Sequence, residues 1–281
     1  MKAADGRGRA RRRDDYVLGS AGNELRRLQT LSLLYRDVTR RWLERAGIGP
    51  GMSVVDVGCG PGDVTLLVGD LVGPTGSVTG VDSSPEALAR ARTRAEAAGL
   101  RNVRYEVGDL ASWSPEGPVD AVVGRLILMH MPDPVAVLAR MAGMVRPGGV
   151  AAFQDIVLPT RRTEPDLPLV GTFNGWLLET LRRFGRPVDM GLRLSVTFRE
   201  AGLPSPGLAT GAPMERGPDA LGYSLMAGDV TSLIGHMERL GVATAVEVGP
   251  QTFESRLRAE AAETDAVLAN PLMVGAWARI P

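Results

Sequence analysis

Three aspartates, Asp56, Asp82 and Asp109, each follow a short apolar run. A carboxylate at such a place can accept charge-assisted hydrogen bonds from ligand hydroxyls or amines, roughly twice as strong as neutral ones. Asp56 leads into Gly58, Gly60 and Gly62, and then into the apolar run Val64–Val68, which can start a helix. Strand, glycine turn and helix together bring backbone N–H groups and a helix N-terminus up to a polar ligand. Glycines there permit positive φ and leave no Cβ to block close approach. The spacing is G-x-G-x-G with an acid two residues ahead, not the dinucleotide fingerprint G-x-G-x-x-G. Three more residues could act in a reaction. Arg125 ends a fourth apolar run, His130 lies just beyond it, and Asp155 lies near the end of a fifth. Arg125 suits an anionic group, with a structural ion pair as its competing use, whereas His130 and Asp155 are candidate bases. His130 and His236 are the only histidines, and neither has a partner at metal-ligand spacing, so no metal is expected.

The elements that must hold these residues alternate. Val54-Val55, Val78–Val81, Val103–Val107, Val119–Val123 and Val150–Val157 read as five short buried strands, β-branched as two-faced positions prefer. Helical runs at Glu86–Ala98 and Val135–Val145 separate some of them, the pattern a parallel sheet requires. Ahead of the core, Glu24–Arg45 has apolar residues at near-helical spacing and predicts one or two helices. After Val157 the alternation breaks. Pro159–Pro168 reads as a polar linker, and helices are predicted at Leu169–Phe184, Asp189–Ala201, Leu221–Leu240 and Phe253–Leu268, before a last strand at Leu272–Ile280.

The run D-x-G-x-G-x-G at Asp56–Gly62, the acids at 82 and 109, and Arg146-Pro147-Gly148-Gly149 before the fifth strand resemble the class I S-adenosylmethionine-dependent methyltransferases. Within that class the likeness is to small-molecule methyltransferases of bacterial secondary metabolism. The resemblance is close over Val54–Val157 and loose elsewhere. It implies an α/β fold: a seven-stranded, mostly parallel Rossmann-like sheet with helices on both faces, an N-terminal helical cap and helical lid inserts, its last strand antiparallel. It implies S-adenosylmethionine as cofactor, held by Asp56, Gly58, Cys59, Gly60, Gly62, Asp82, Ser83, Gly108, Asp109, Leu110, Arg125 and Gln29. Under it Asp82 receives the ribose hydroxyls, Asp109 the adenine amino group, and Asp56 the methionine amino end. Tyr16 of the N-terminal segment could line the same site. Phe173, Trp176 and Met226 of the inserts are expected to line a substrate pocket, with a dimer interface as the other use of those apolar faces.

Composition narrows the partners. With 32 basic and 32 acidic residues the formal charge is zero, which argues against bulk binding to nucleic acid or anionic membrane. No apolar run is long enough to span a bilayer. Cys59 is the only cysteine, so no intrachain disulfide forms, and it reads as a small residue in a crowded loop. The arginine-rich stretch Arg7–Arg13 is followed by Asp14-Asp15-Tyr16 and not by an apolar region, so a cytoplasmic chain with a solvated tail is expected. The expected divisions are a tail over 1–15, a helical cap over 16–50, the cofactor core over 51–158, and lid helices with the last strands over 159–281. The expected activity is methyl transfer to an apolar or aromatic small molecule, by in-line displacement without metal. Two readings compete: a cofactor-binding member of the fold repurposed for non-methylating chemistry, and an NAD(P)-dependent oxidoreductase. The second is disfavoured by the glycine spacing and by the lack of any lysine after Lys2 for a Tyr-x-x-x-Lys pair.

Overall fold

The computed structural model describes residues 21–281, with side chains from residue 26. Tyr16 and the arginine-rich stretch lie outside the described residues. One continuous helix, α1 (Ala21–Ala46), precedes β1 (Ser53–Val57), α2 (Asp63–Val72), β2 (Ser77–Asp82), α3 (Pro85–Ala97), β3 (Val103–Val107) and β4 (Val119–Arg125). A single 3-10 turn, Leu128–His130, leads to α4 (Pro134–Ala142) and β5 (Val145–Val157). Then come β6 (Arg162–Glu164), α5 (Pro168–Arg183), α6 (Met190–Glu200), β7 (Gly207–Gly211) and β8 (Met214–Arg216). The chain closes with α7 (Leu221–Arg239), α8 (Ala245–Val248), α9 (Phe253–Thr264), β9 (Val267–Ala269) and β10 (Leu272–Arg279).

The large sheet has seven strands in the order β3-β2-β1-β4-β5-β10-β7. Its first five strands run parallel, and β10 runs antiparallel between β5 and β7. Strand alternation sends successive residues of β1 to opposite faces. Val54 meets Trp42 and Leu43 of α1 and Leu67 and Val68 of α2, whereas Val55 and Val57 join the core shared with Leu138 of α4, Leu194 of α6 and the later helices. Local signals start the helices where the sequence suggests. Ser84 and Asp133 cap α3 and α4 by accepting from Ala87 N at 3.2 Å and Ala136 N at 2.9 Å, with proline at the first helical position of each.

Four expectations need correction. The linker Pro159–Pro168 contains β6, and the helix over Phe253–Leu268 stops at Thr264. There Asp265 turns left-handed (φ 51) with its carboxylate on Arg216, and Val267–Ala269 pairs between β6 and β8 in a three-stranded antiparallel sheet. Edge strand β7 escaped the sequence reading because glycine flanks it and strand propensity is weak there. The N-terminal helix lies over the sheet as well as toward the lid. It crosses β5, β10 and β7 because Gly275 of β10 leaves room for the Trp42 indole, and it reaches α7, where Arg27 pairs with Asp229 at 3.2 Å.

Candidate active site at the carboxyl ends of the parallel strands

The glycine turn follows β1 and is pinned to β2. Cys59 N donates to Val81 O at 3.0 Å, and Gly60 N donates to the Asp82 carboxylate at 2.9 Å. The other Asp82 oxygen accepts from Ser84 N at 2.8 Å. Each Asp82 oxygen thus spends one acceptor site on backbone and keeps another for a ligand. Gly58, Gly60 and Gly62 all have positive φ, at 64°, 52° and 85°. A Cβ at Gly58 would strike Ile127 and one at Gly62 the Tyr105 hydroxyl, while one at Gly60 would meet open space. Gly60 is therefore the open side of the cradle, with the N-terminus of α2 behind it.

Asp56 lies beneath the turn. It is buried and accepts from Thr65 Oγ1 at 2.6 Å, and burial raises its pKa to about 7 against the opposing effects of Thr65 and Arg125. Here the carboxylate fastens the start of α2 to β1. Asp63, which the sequence reading passed over, is buried too and pairs with Arg94 of α3 at 2.6 Å. Burial also pushes the Cys59 thiol up, in keeping with a packed and unreactive residue.

Asp82 is in register with Val107, so the ends of β2 and β3 lie side by side. Ser83 and Asp109 are exposed there, and Val107 presents an apolar surface 56% exposed. Asp109 accepts from Ala111 N at 2.8 Å, Trp113 covers Gly108, and Leu110 is half-buried with its carbonyl on Arg140 Nε at 3.0 Å. An exposed apolar strand end flanked by two acids suits a flat ring with a ribose. Together with the open side of Gly60, these residues fit an S-adenosyl ligand.

Beyond β4, Arg125 is half-buried and donates to Thr39 Oγ1 at 3.3 Å, with Asp56 and Asp63 as its electrostatic neighbours. Among the described residues it has no ion pair within 4 Å, so its structural ion-pair reading is not met. Leu126 has φ 56, a left-handed conformation costly for a branched side chain. That turn lays Ile127 over Gly58, a strained joint that nothing in the sequence announces. Gln29 is exposed on α1.

The two candidate bases differ. Burial, Arg186 and Arg27 together depress the pKa of His130 to about 4, leaving a neutral, weakly basic imidazole. Burial raises Asp155 to about 7. Its oxygens accept from Met129 N at 3.2 Å and Ile156 N at 3.0 Å, so it ties the turn after β4 to β5. Asp155 is only 1% exposed. In this arrangement it positions the turn that carries His130.

Of the three apolar residues assigned to a substrate pocket, Phe173 and Met226 expose no surface and are corrected to core. Phe173 packs on Phe253 at 5.8 Å and under the Arg161 guanidinium at 4.9 Å, because α5, α7 and α9 face one another and leave no gap. Trp176, half-buried at the edge of the same cluster, keeps a free face. Arg161 is buried, donates to Asn174 at 3.2 Å, and has no partner for its Nε. Among the described residues no three of His, Cys, Asp and Glu come together to hold a metal ion, and no helix is long and apolar enough to cross a membrane.

Comparison with known proteins agrees with this geometry. Residues 48–179 match the family model described as a methyltransferase domain. This stretch is a class I S-adenosylmethionine-dependent methyltransferase domain. The domain is 36% identical over 126 residues to trans-aconitate 2-methyltransferase of Azoarcus sp. (strain BH72), covering 45% of this chain and 46% of that one. It is 42% identical over 118 residues to nocamycin O-methyltransferase of Saccharothrix syringae, covering 41% of each. The chain thus spans less than half the length of the curated relatives it matches. A solved structure from Bacillus halodurans C-125 shares the fold over 86% of this chain and 98% of its own, with a TM-score of 0.56 and 18% identity. The match to the methyltransferase domain therefore runs from just before β1 into α5, while the likeness in fold covers 86% of the chain.

Proposed function

We propose that the whole chain transfers a methyl group from S-adenosylmethionine to an apolar or aromatic small molecule, in the biosynthesis of a bacterial secondary metabolite. The observation that carries the reading is Asp82, held by Gly60 N and Ser84 N with acceptor capacity to spare, beside the open side of Gly60. Asp82 with Ser83 would hold the ribose, and Asp109, Gly108 and Leu110 the adenine. Arg125 would take the methionine carboxylate, near its electrostatic neighbours Asp56 and Asp63. The glycine turn with Cys59 would line the cofactor's polar end, and Gln29 of α1 would cover it. When bound, the cofactor supplies a methyl group already activated on a sulfonium.

Alignment of acceptor and methyl is then the main task of the chain, and it can supply roughly 7–11 kcal/mol of the barrier. Asp155 contributes by fixing the Leu128–His130 turn, since its oxygens are held by Met129 N and Ile156 N. Residues 51–158 form the cofactor core, 16–50 the cap, and 159–281 the lid with the last strands. Trp176, half-buried at the edge of its cluster, would be the lid residue that meets an aromatic acceptor. The relation to nocamycin O-methyltransferase supports a secondary-metabolite acceptor.

Calorimetry with S-adenosylmethionine and S-adenosylhomocysteine, followed by transfer of labelled methyl to a panel of aromatic and apolar acceptors, tests the reading. Micromolar-range binding, at about −8 kcal/mol, is expected. Binding without transfer to any acceptor would favour a repurposed fold, and tight binding of a nicotinamide cofactor instead would overturn the proposal. Trp176→Ala should weaken acceptor binding far more than cofactor binding. A change in molecular mass on that substitution would instead assign Trp176 to a contact between two copies.

A further inference from the structure

Threonine hydroxyls inside the helices of this chain commonly turn back on their own backbone. Thr172, Thr180, Thr197 and Thr231 each donate to the carbonyl four residues back, at 2.7 to 3.0 Å. Thr39, inside α1 and with no exposed surface, turns outward instead. Its hydroxyl accepts from Arg125 Nη1 at 3.3 Å and donates to Gln154 Oε1 at 2.8 Å. An arginine can only donate, so the threonine proton is left for the glutamine oxygen, and the two bonds fix each other's sense. The hydroxyl thus serves the sheet and not its own helix.

The group it holds stands at the crevice of the fold. In the order β3-β2-β1-β4-β5 the strand sequence reverses between β1 and β4, and ligands of such sheets bind outside the carboxyl ends at that reversal. Arg125 is the last residue of β4 and half-buried there, and the segment after it lays Ile127 over Gly58 of the glycine turn. Gln154 is its cross-strand neighbour on β5, and the Gln154 carbonyl accepts from Leu126 N at 2.8 Å. One glutamine therefore fixes the backbone just after Arg125 and, through Thr39, one nitrogen of its side chain. Among the described residues Arg125 makes no other hydrogen bond and no ion pair. A guanidinium presents several N–H donors in a rigid fork, so a single tether leaves the rest of the fork to a ligand. Without a tether a long arginine side chain spreads over several rotamers, and ordering it on binding costs affinity.

We propose that Thr39 is a positioning residue for the cofactor, acting through Arg125: it holds the guanidinium in the orientation that receives the carboxylate of the methionine end. The inference rests on the functional reading above, which gives that carboxylate to Arg125. It makes α1 part of the cofactor site through a residue that has no surface to offer a ligand. Thr65 of α2 plays the matching part on β1, donating to Asp56 at 2.6 Å. Each of two helices thus holds one charged side chain of the crevice by a threonine hydroxyl.

Calorimetry with S-adenosylhomocysteine and with its decarboxylated analogue, which lacks only the carboxylate, tests the proposal. The unaltered protein should prefer the first by about tenfold or more, the worth of a charge-assisted bond. Thr39→Val keeps the shape of the side chain and removes the hydroxyl. It should cut that preference by about threefold to tenfold, while the decarboxylated analogue binds as it does to the unaltered protein. Thr39→Ser, which restores the hydroxyl, should recover most of the preference. Arg125→Met should abolish it, and adding Thr39→Val to Arg125→Met should change nothing further. Equal loss for both ligands in Thr39→Val would show a merely structural role and overturn the proposal. So would an unchanged preference, or a threonine effect that persists without Arg125. Unaltered protein that binds S-adenosylhomocysteine but does not distinguish the two ligands would overturn it too, leaving the cofactor assignment intact. Failure to bind S-adenosylhomocysteine at all would instead sink the functional reading beneath it.

Discussion

The cofactor core and the lid use side chains in opposite ways. Around the ends of β1 to β4, several polar and strained groups reach the surface: Gly58 and Gly60 at positive φ, Leu126 at φ 56, Asp82 half-buried, and Asp109 beside an exposed Val107, above the buried Asp56 and Asp63. Between α5, α7 and α9, Phe173, Tyr223, Met226, Leu233 and Phe253 have no exposed surface. Ser224, Glu254 and Arg258 close on one another there at 2.6 to 2.9 Å, while the Tyr223 hydroxyl has no partner among the described residues. The core keeps hydrogen-bonding capacity for a ligand, whereas much of the lid spends its capacity on stability. Apolar character alone therefore did not tell buried from exposed residues between α5, α7 and α9, while the acids at the ends of β2 and β3 keep acceptor capacity near the surface.

The sharpest way to break this contrast is Phe173→Ala. Removing a fully buried phenyl ring should cost about 3–5 kcal/mol of stability. Denaturant unfolding checks it, and S-adenosylhomocysteine affinity of the folded protein should change less than about twofold. Parallel loss of cofactor affinity would mean that lid and core are one energetic unit. Asp82→Ala should do the reverse. Calorimetry should show cofactor affinity lower by about 100-fold, or ~3 kcal/mol, with a much smaller change in melting temperature. Unchanged affinity would reduce Asp82 to a cap that holds Gly60 and Ser84.

Asp155 sits at the boundary between the two regions and is tested by pH. Its folded pKa, near 7, lies above its unfolded value, so the folded state binds the extra proton between about pH 4 and 7. Stability conferred by the neutral form is complete below pH 4 and declines as pH rises through 7. Asp56, raised for the same reason, contributes in the same window, and His130, depressed to about 4, has the opposite slope. Asp155→Asn cannot ionise, so relative to the unaltered protein it should gain about 3 kcal/mol between pH 4.5 and 8. A difference independent of pH would place the Asp155 titration elsewhere. The smallest effect expected is none: chelator should leave methyl transfer unchanged, because no cluster of ligating residues forms among those described. Activity lost in chelator and restored by a divalent metal would overturn that expectation.

Spacing along the chain determined the cofactor core: a strand of β-branched residues, an acid, three alternating glycines and an apolar helix are each satisfied within about ten residues. Nothing distant has to be known for Asp56–Gly62 to form that turn, so its place at the head of the sheet was legible in the residues themselves. The same holds for the acids at 82 and 109, whereas the antiparallel direction of the last strand was implied by the family resemblance alone. Tertiary structure alone decided what lies opposite each side chain. It buried Phe173 and Met226, left Trp176 at an edge, made β7 a strand through pairing with β10, and stopped α9 at Asp265. It also brought Arg125, Gln154, Gly275 and Ala209 into one row from four separate strands. The reason is physical. Turn and helix signals act through backbone geometry a few bonds away, whereas burial and hydrogen-bond satisfaction depend on partners that only the folded chain brings together.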